Sequence, residues 1–349
     1  MNVLPEHLLN SKKPKYAQIL LQYQNKILEF PTPPAQMYAQ ACTNDDITVK
    51  SWRNTWLSNM KANKGKFGSF KDYSAGKLFK KFEHKPCVIA GSGPSLKENV
   101  HQLKDRGDIP LLSCLHNFHL MEDNDARPDF YVSLDAGDVV VDEVCEGGTK
   151  TADEYWAMTK NRKLIAYIGS PPKLLEKWQG EIYLFNGALP DAGLMKEIDE
   201  IEPFKCYVSN GGNVLGACLY LARGFLGCCP IAFVGADFCF SYDNKFHPWD
   251  SKYDKNLGYV IKLVDVYGNK RLSWQSYANF KGWFEQLSVQ SPQIFINCSE
   301  GGCFGAFAEG NIVDIQQMPL ARFLFMYRMH EELTDQMFTP ETAEPKILF

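Results

Sequence analysis

Short, uninterrupted apolar runs that stop at polar tips recur along the middle of this chain. Cys87–Ala90, Ile109–Cys114, Phe130–Leu134, Lys163–Ile168, Glu181–Phe185, Ile231–Val234 and Gln293–Asn297 each read as a strand buried on both faces. Between them, Glu98–Lys104, the stretch VLGACLYLARGFLG after Asn213, and Trp274–Leu287 read as helices. The order strand, polar tip, helix, strand predicts an α/β fold. Its core is a Rossmann-like, doubly wound, mostly parallel sheet. Tyr16–Phe30 also has helical spacing and ends at Pro31-Thr32-Pro33-Pro34. Residues 311–333 read as helix, and the tail from Thr334 reads as loose. The predicted organisation is a helical N-terminal region over 1–85, a main domain over 86–310, and a C-terminal helix and tail over 311–349.

Composition narrows this picture. A chain of 349 residues with 45% hydrophobic and 22% charged side chains supports one large domain with appendages. The eleven cysteines sit mostly inside apolar runs and form no CxxC pair, which points to buried free thiols in a reducing compartment. No apolar run has the length of a membrane span, and the N-terminus has no signal-peptide pattern, so a cytoplasmic location is expected. Net charge is −4 but unevenly spread. Lys50–Lys85 holds ten lysines and arginines against Asp72 and Glu83, with Trp52, Trp56, Phe67, Phe70, Tyr73, Phe79 and Phe82 interleaved. Such a stretch can hold phosphates and stack bases. It can equally be an arm whose aromatics pack on the domain while its lysines stay in water. The N-terminal region also suits a homo-oligomer contact.

The strongest local signal is PCVIAGSGPSL at Pro86–Leu96. A buried strand breaks into Gly91, Ser92, Gly93, Pro94 and Ser95, and a helix starts. Glycines allow a sharp turn and a close approach by a ligand, and Pro94 suits the first helical position. Amides and the positive helix end would then face an anion such as a nucleotide phosphate. The plain alternative is a strand–turn–helix that binds nothing. The run is not the dinucleotide fingerprint, because Leu96 stands at the third glycine position.

Other candidates sit at strand ends, where an open α/β sheet has its crevice. Asn117 follows the second strand. Asp135 ends the third, where an acid can hold a metal, a ribose hydroxyl or an acceptor's proton, or cap a loop. Asn210, Gly211 and Gly212 open the small-residue helix and form a second candidate anion or sugar site. Asp237 follows Ile231–Val234. His247 lies in the polar, aromatic loop Phe240–Asp254 and is a candidate acid or base, or a surface-turn residue. Tyr242, Lys252 and Tyr253 of that loop are candidate phosphate donors. His116 and His119 are spaced like a metal pair but lack a third ligand nearby.

Five segments in order carry a family resemblance: VIAGSGPSL at 88–96, RPDFYVSLD at 127–135, SNGGNVLGACLYLARGFLGCCPIAFVGADF at 209–238, WQSYANFKGWFEQL at 274–287 and INCSEGGCFGA at 296–306. The chain resembles the group that joins archaeal 6-hydroxymethylpterin diphosphokinases with motility-associated-factor glycosyltransferases. AGSGPSL and VGADF are also similar to motifs of bacterial CMP-sugar sialyltransferases, although Ser92 replaces the asparagine of their GNGPS turn. The resemblance implies a Rossmann-like sheet with a nucleotide-linked substrate in the 86–310 domain, and leaves two reactions open. Glycosyl transfer, from a nucleotide-sugar such as a CMP-linked donor, needs no cofactor. Gly91–Ser95 and Asn210–Gly212 would hold the donor, and Asp135 or His247 would take the acceptor's proton. Pyrophosphoryl transfer from ATP would need Mg²⁺ on Asp135 or Asp237. Glu300 and Gly301 would serve either chemistry, or Glu300 would cap a helix. The added N-terminal region favours a glycosyltransferase acting on a macromolecular acceptor, whether protein, glycan or nucleic acid. A non-catalytic nucleotide- or nucleic-acid-binding module is the remaining alternative.

Overall fold

The computed structural model describes residues 34–187, 191–209, 211–249, 260–290, 295–306 and 315–337. Nine parallel strands form one sheet: β1 (Cys87–Ala90), β2 (Leu111–Cys114), β3 (Phe130–Ser133), β4 (Lys163–Tyr167), β5 (Glu181–Gly187), β6 (Tyr207–Val208), β7 (Ile231–Val234), β10 (Phe295–Asn297) and β11 (Ile315–Gln317). β8 (Val260–Val264) and β9 (Lys270–Trp274) form a separate antiparallel hairpin. The sheet order is β11-β10-β7-β1-β2-β3-β4-β5-β6. The chain therefore runs outward from β1 to β6, then returns to the other side of β1 at β7. That reversal puts the topological switch point between β1 and β7. All seven predicted strands are present. Strands β6, β8, β9 and β11 are additions, and β11 interrupts the stretch read as helix over 311–333.

β1, β2, β3 and β7 are buried at every position, which is why they read as continuous apolar runs rather than alternating ones. Phe233 of β7 is a packing hub. Its ring lies 5.3 Å from Phe304 and 5.8 Å from both Phe284 and Phe295. Each such edge-to-face pair adds about 0.5–1.5 kcal/mol beyond the area it buries. The ten described cysteines are all free, as the apolar setting of the thiols predicts. Among the described residues no helix is long and apolar enough to cross a membrane.

Helix α1 (Pro34–Phe67) carries the first half of the basic aromatic stretch. Trp56, Met60 and Asn63 are buried and fall on one face at i, i+4 and i+7. Asn59 donates to the carbonyls of Ala136 and Gly169, each at 3.0 Å, and Asn63 to those of Ile168 and Ser170, each at 2.9 Å. One helix face thus ties together the loops after β3 and β4. The helix ends where Gly68, at φ 71°, donates its amide to the Lys64 carbonyl, a left-handed cap that suits glycine. Farther on, Glu202 is buried and accepts from Lys64, Ser69 and the Phe70 amide. Arg53 pairs with Glu197 of α2 (Ala192–Ile201). Packing on the domain is seen for part of this stretch: Trp56 and Phe70 join the main core with Ala75 and Leu78, while Trp52, Tyr73 and Phe79 are exposed. Residues 334–337, expected to be part of a loose tail, continue the helix Leu320–Met337, and Tyr16–Phe30 and residues 338–349 lie outside the described residues.

Candidate functional site

A cavity of about 210 Å³ opens at the C-terminal ends of β1, β2, β3 and β7, beside the switch point. Two turns meet on one side of it. After β1, the Gly91 amide donates to the Val234 carbonyl at 2.9 Å, and the Gly93 amide to that of Gly235 at 2.8 Å. The Ser95 amide donates to Asp237 Oδ2 at 2.8 Å. A Cβ on Gly93 would stand 2.3 Å from Asp237 Oδ2, and one on Gly91 would stand 2.6 Å from the Gly235 carbonyl oxygen. These glycines are therefore required by the approach of one turn to the other. Pro94 has no amide, so Ser92 carries the one N–H between 91 and 95 without an internal partner among the described residues. The carboxylate of Asp237 occupies the position at Ser95 where the sequence suggests an incoming anion. Burial pushes the Asp237 carboxyl up to about 6, against the opposing pull of the Ser95 amide.

The remaining sequence candidates divide between lining and support. Asn117 is fully buried and donates to the carbonyl of Gly91 at 3.0 Å, so it holds the turn from behind. Glu300 caps α5 (Leu320–Met337), accepting from the Leu320 amide at 3.1 Å. Gly301 backs Ser95, with a Cβ position 3.7 Å from the serine's own. Neither Glu300 nor Gly301 lines the cavity. At the small-residue helix α3 (Val214–Tyr220), Asn213 caps the N-terminus by accepting from the Gly216 amide at 2.9 Å. Gly211, at φ 57°, lies under the Trp283 indole, 2.6 Å from a Cβ position, so no side chain fits there. Asn213 lines the cavity, whereas Gly211 and Gly212 do not. Asn210, Lys252 and Tyr253 lie outside the described residues.

The opposite wall is acidic. Asp135 follows β3 and points into the cavity space, with no hydrogen-bond partner among the described residues. Desolvation by the surrounding wall raises its carboxyl above the usual range. Glu143, from the short helix Val139–Glu143, shares that wall. Burial first, then the charges of Asp135 and Glu146, push Glu143 up to about 7. Sequence reasoning missed it. The available signal was the i, i+3 pair Val140 and Glu143, which places both on the helix face that turns inward. Tyr277 and Phe280 of α4 (Gln275–Gln290) close another side and are likewise i, i+3.

The loop after β7 supplies Phe246 and His247 to the lining. The hairpin braces this loop: the Phe240 amide donates to the Leu272 carbonyl at 2.8 Å, and Ser273 Oγ donates to the Phe238 carbonyl at 2.7 Å. His247 Nδ1 lies 3.0 Å from the Ser92 carbonyl oxygen. A carbonyl only accepts, so Nδ1 carries the proton and Nε2 is the acceptor of the neutral ring. His247 stacks on Trp249 at 4.7 Å, and Trp249 also meets His116 at 4.7 Å and His119 at 4.6 Å. Burial lowers His116 to about 3, and His119 and His247 to about 4, so all three are neutral near pH 7.

Two consequences follow for ligands. Among the described lining residues there is no lysine or arginine, while Asp135, Glu143 and Asp237 are acids. Among the described residues no group of three or more His, Cys, Asp or Glu side chains can hold a metal ion. Asp237 already accepts from Ser95. Asp135 and Asp237, the residues that the diphosphokinase chemistry would assign to Mg²⁺, both line the cavity.

A family model described as 6-hydroxymethylpterin diphosphokinase MptE-like matches residues 55–243. That span includes β1 to β7, Asp135, Glu143 and Asp237. His247, the hairpin and α4 lie beyond it. No curated protein matches the chain. Among solved structures, the MAf glycosyltransferase from Magnetospirillum magneticum AMB-1 is similar with a TM-score of 0.51 and 15% identity, over 80% of this chain and 44% of that one. The chain therefore spans less than half the length of that protein, and the likeness is one of fold.

Proposed function

The chain belongs to the 6-hydroxymethylpterin diphosphokinase MptE-like family, and from that premise we propose that it is a glycosyltransferase using a nucleotide-linked donor. The observation that carries this reading is the cavity at the switch point, with Asp135 unpartnered on its wall. The donor's phosphate meets the Ser92 amide, and its base lies among the aromatic side chains of Phe246, Tyr277 and Phe280. The acceptor hydroxyl attacks the anomeric carbon. Its proton passes to Asp135, and the nucleotide leaves with the electron pair of the broken bond. His247 holds the turn through the Ser92 carbonyl.

The acidic wall also supports a choice of donor. Each added phosphate charge in a cavity with three acids and no described lysine or arginine raises the electrostatic cost. A nucleoside-monophosphate sugar, of the CMP-linked kind, suits this wall better than a di- or triphosphate. The same argument weighs against ATP unless Mg²⁺ accompanies it, since one or two of these carboxylates together with the phosphates' own oxygens would hold that ion.

Asp135→Asn tests the proposed role. The expected result is a loss of at least about 100-fold in kcat with donor affinity within a factor of a few, the range for removal of a positioned proton acceptor. Full activity in Asp135→Asn would remove this residue from the reaction.

A further inference from the structure

Helix α1 crosses the ends of β3 and β4, and its residues 52, 56, 59 and 63 form one stripe along it. Three of these are committed to the core or to the strand-end loops. Trp56 is buried against Tyr167, ring centroids 6.3 Å apart, and Asn59 and Asn63 hold four backbone carbonyls. Trp52 is different. It is 39% exposed, and the edge of its six-membered ring lies against Gly137, where a Cβ would stand 3.2 Å from Cη2. Val139 is 62% exposed, and its Cγ1 is 3.7 Å from that same Cβ position. Gly137 is two residues from Asp135, so their Cα atoms are at most about 7 Å apart. An open indole therefore stands next to the loop that carries the cavity's unpartnered acid.

We propose that Trp52 and Val139 form an acceptor shelf beside the cavity, and that the acceptor is a neutral saccharide whose ring lies on the indole. The inference rests on the transferase reading. A pyranose has an apolar C–H face that an indole can cover, and hydroxyls that donate hydrogen bonds at its edge. Residues 135–146 offer Asp135, Asp138, Asp142, Glu143 and Glu146, and no lysine or arginine. Ionised carboxylates only accept, which suits hydroxyl donors and repels a polyanion. On α1, Arg53 beside Trp52 is engaged by Glu197, while Lys50 and Lys61 are exposed. The acidic loop, rather than a lack of cations on α1, argues against a nucleic acid at this place. The shelf gives the basic helix a function that its charge does not announce.

The test uses the full chain on an array of neutral and charged glycans, with donor hydrolysis measured in parallel. Wild type should retain neutral glycans. Trp52→Ala should lose at least tenfold of that binding, and Trp52→Phe should keep most of it. Gly137→Val leaves the indole in the chain but displaces it from the loop, and should resemble Trp52→Ala. Donor hydrolysis should be unchanged in all three, which also shows that they fold. Retention of no neutral glycan by wild type, equal retention by Trp52→Ala, or preferential binding of an oligonucleotide or peptide each overturns the shelf. Neutral-glycan binding with no donor turnover would instead leave the shelf standing and remove the transferase reading.

Discussion

The two walls of the cavity differ in how far their polar groups are tied to the protein's own backbone. On the turn wall the backbone amides of Gly91, Gly93 and Ser95, the Asn117 amide and one oxygen of Asp237 are used internally, while Ser95 Oγ, Asn117 Oδ1 and Asp237 Oδ1 are buried without a described partner. On the acidic wall, Asp135 and Glu143 face the cavity without a described partner. The turn wall carries the conspicuous motif, yet most of its glycines and amides serve the junction of β1 with β7. On the acidic wall Asp135 ends the family segment RPDFYVSLD while Glu143 belongs to none, and both carboxyls face the cavity. A recognisable turn is thus strong support for a fold and weaker support for a contact. Unspent polar groups in a cavity are the better guide to reaction.

Breaking the turn wall should have the largest effect. Gly93→Val puts carbon where the Asp237 carboxylate and the Gly235 carbonyl already stand. A destabilisation above about 5 kcal/mol is expected, enough to abolish folding. Soluble Gly93→Val with a normal urea midpoint would mean that the glycines are there for a ligand after all.

Acid should act next, through the imidazole cluster that joins the loop to both walls. His116, His119 and His247 are held neutral, with folded pKa values of about 3, 4 and 4 against an ordinary value of 6.5. A base with a depressed folded pKa contributes stability that is present above 6.5 and is lost as pH falls from there towards the folded value. Taken alone, the three rings would lose roughly 7 kcal/mol between pH 7 and pH 4.5. The Glu146 carboxylate, 2.9 Å from His116 Nε2, favours the charged ring, and together with partial solvation it reduces this loss to on the order of 4 kcal/mol. Urea unfolding across that range checks it, and His119→Gln should flatten the slope.

Glu143→Gln should have the smallest effect and the opposite sign. A carboxyl raised to about 7 is best tolerated while protonated, so its stabilising contribution is full below its unfolded pKa and is lost as pH rises through 7. The amide removes that penalty. Glu143→Gln should be more stable than wild type by roughly 1–2 kcal/mol at pH 8, after allowance for partial solvation, and nearly equal to it at pH 4.5. Equal stability at both pH values would mean that water or a counter-ion already compensates this wall.

The sheet was legible because parallel strands buried on both faces leave continuous apolar runs, as at Cys87–Ala90 and Ile231–Val234. The hairpin was less visible. VIKLV alternates over only five residues, and the signal lay in its turn, where Asp265 accepts from the Tyr267 and Asn269 amides and Gly268 sits at φ 85°. β6 has two residues and β11 three, too short to leave a pattern. At the site, the ends of β1, β3 and β7 were visible as candidates. Which groups were already bonded was not, because the Ser95–Asp237 contact joins residues 142 apart in sequence. Glu300 takes the helix-capping role that its sequence offered as one alternative, although the helix it caps, the start of α5, lies 20 residues on.

The most direct measurement is a calorimetric titration of the intact protein with CMP and with ATP, each with and without Mg²⁺. If the cavity is a donor site for a singly phosphorylated sugar nucleotide, CMP binds without metal and its affinity survives in Asp135→Asn. Binding of ATP alone, and only with Mg²⁺, would contradict that assignment and return the reaction to pyrophosphoryl transfer.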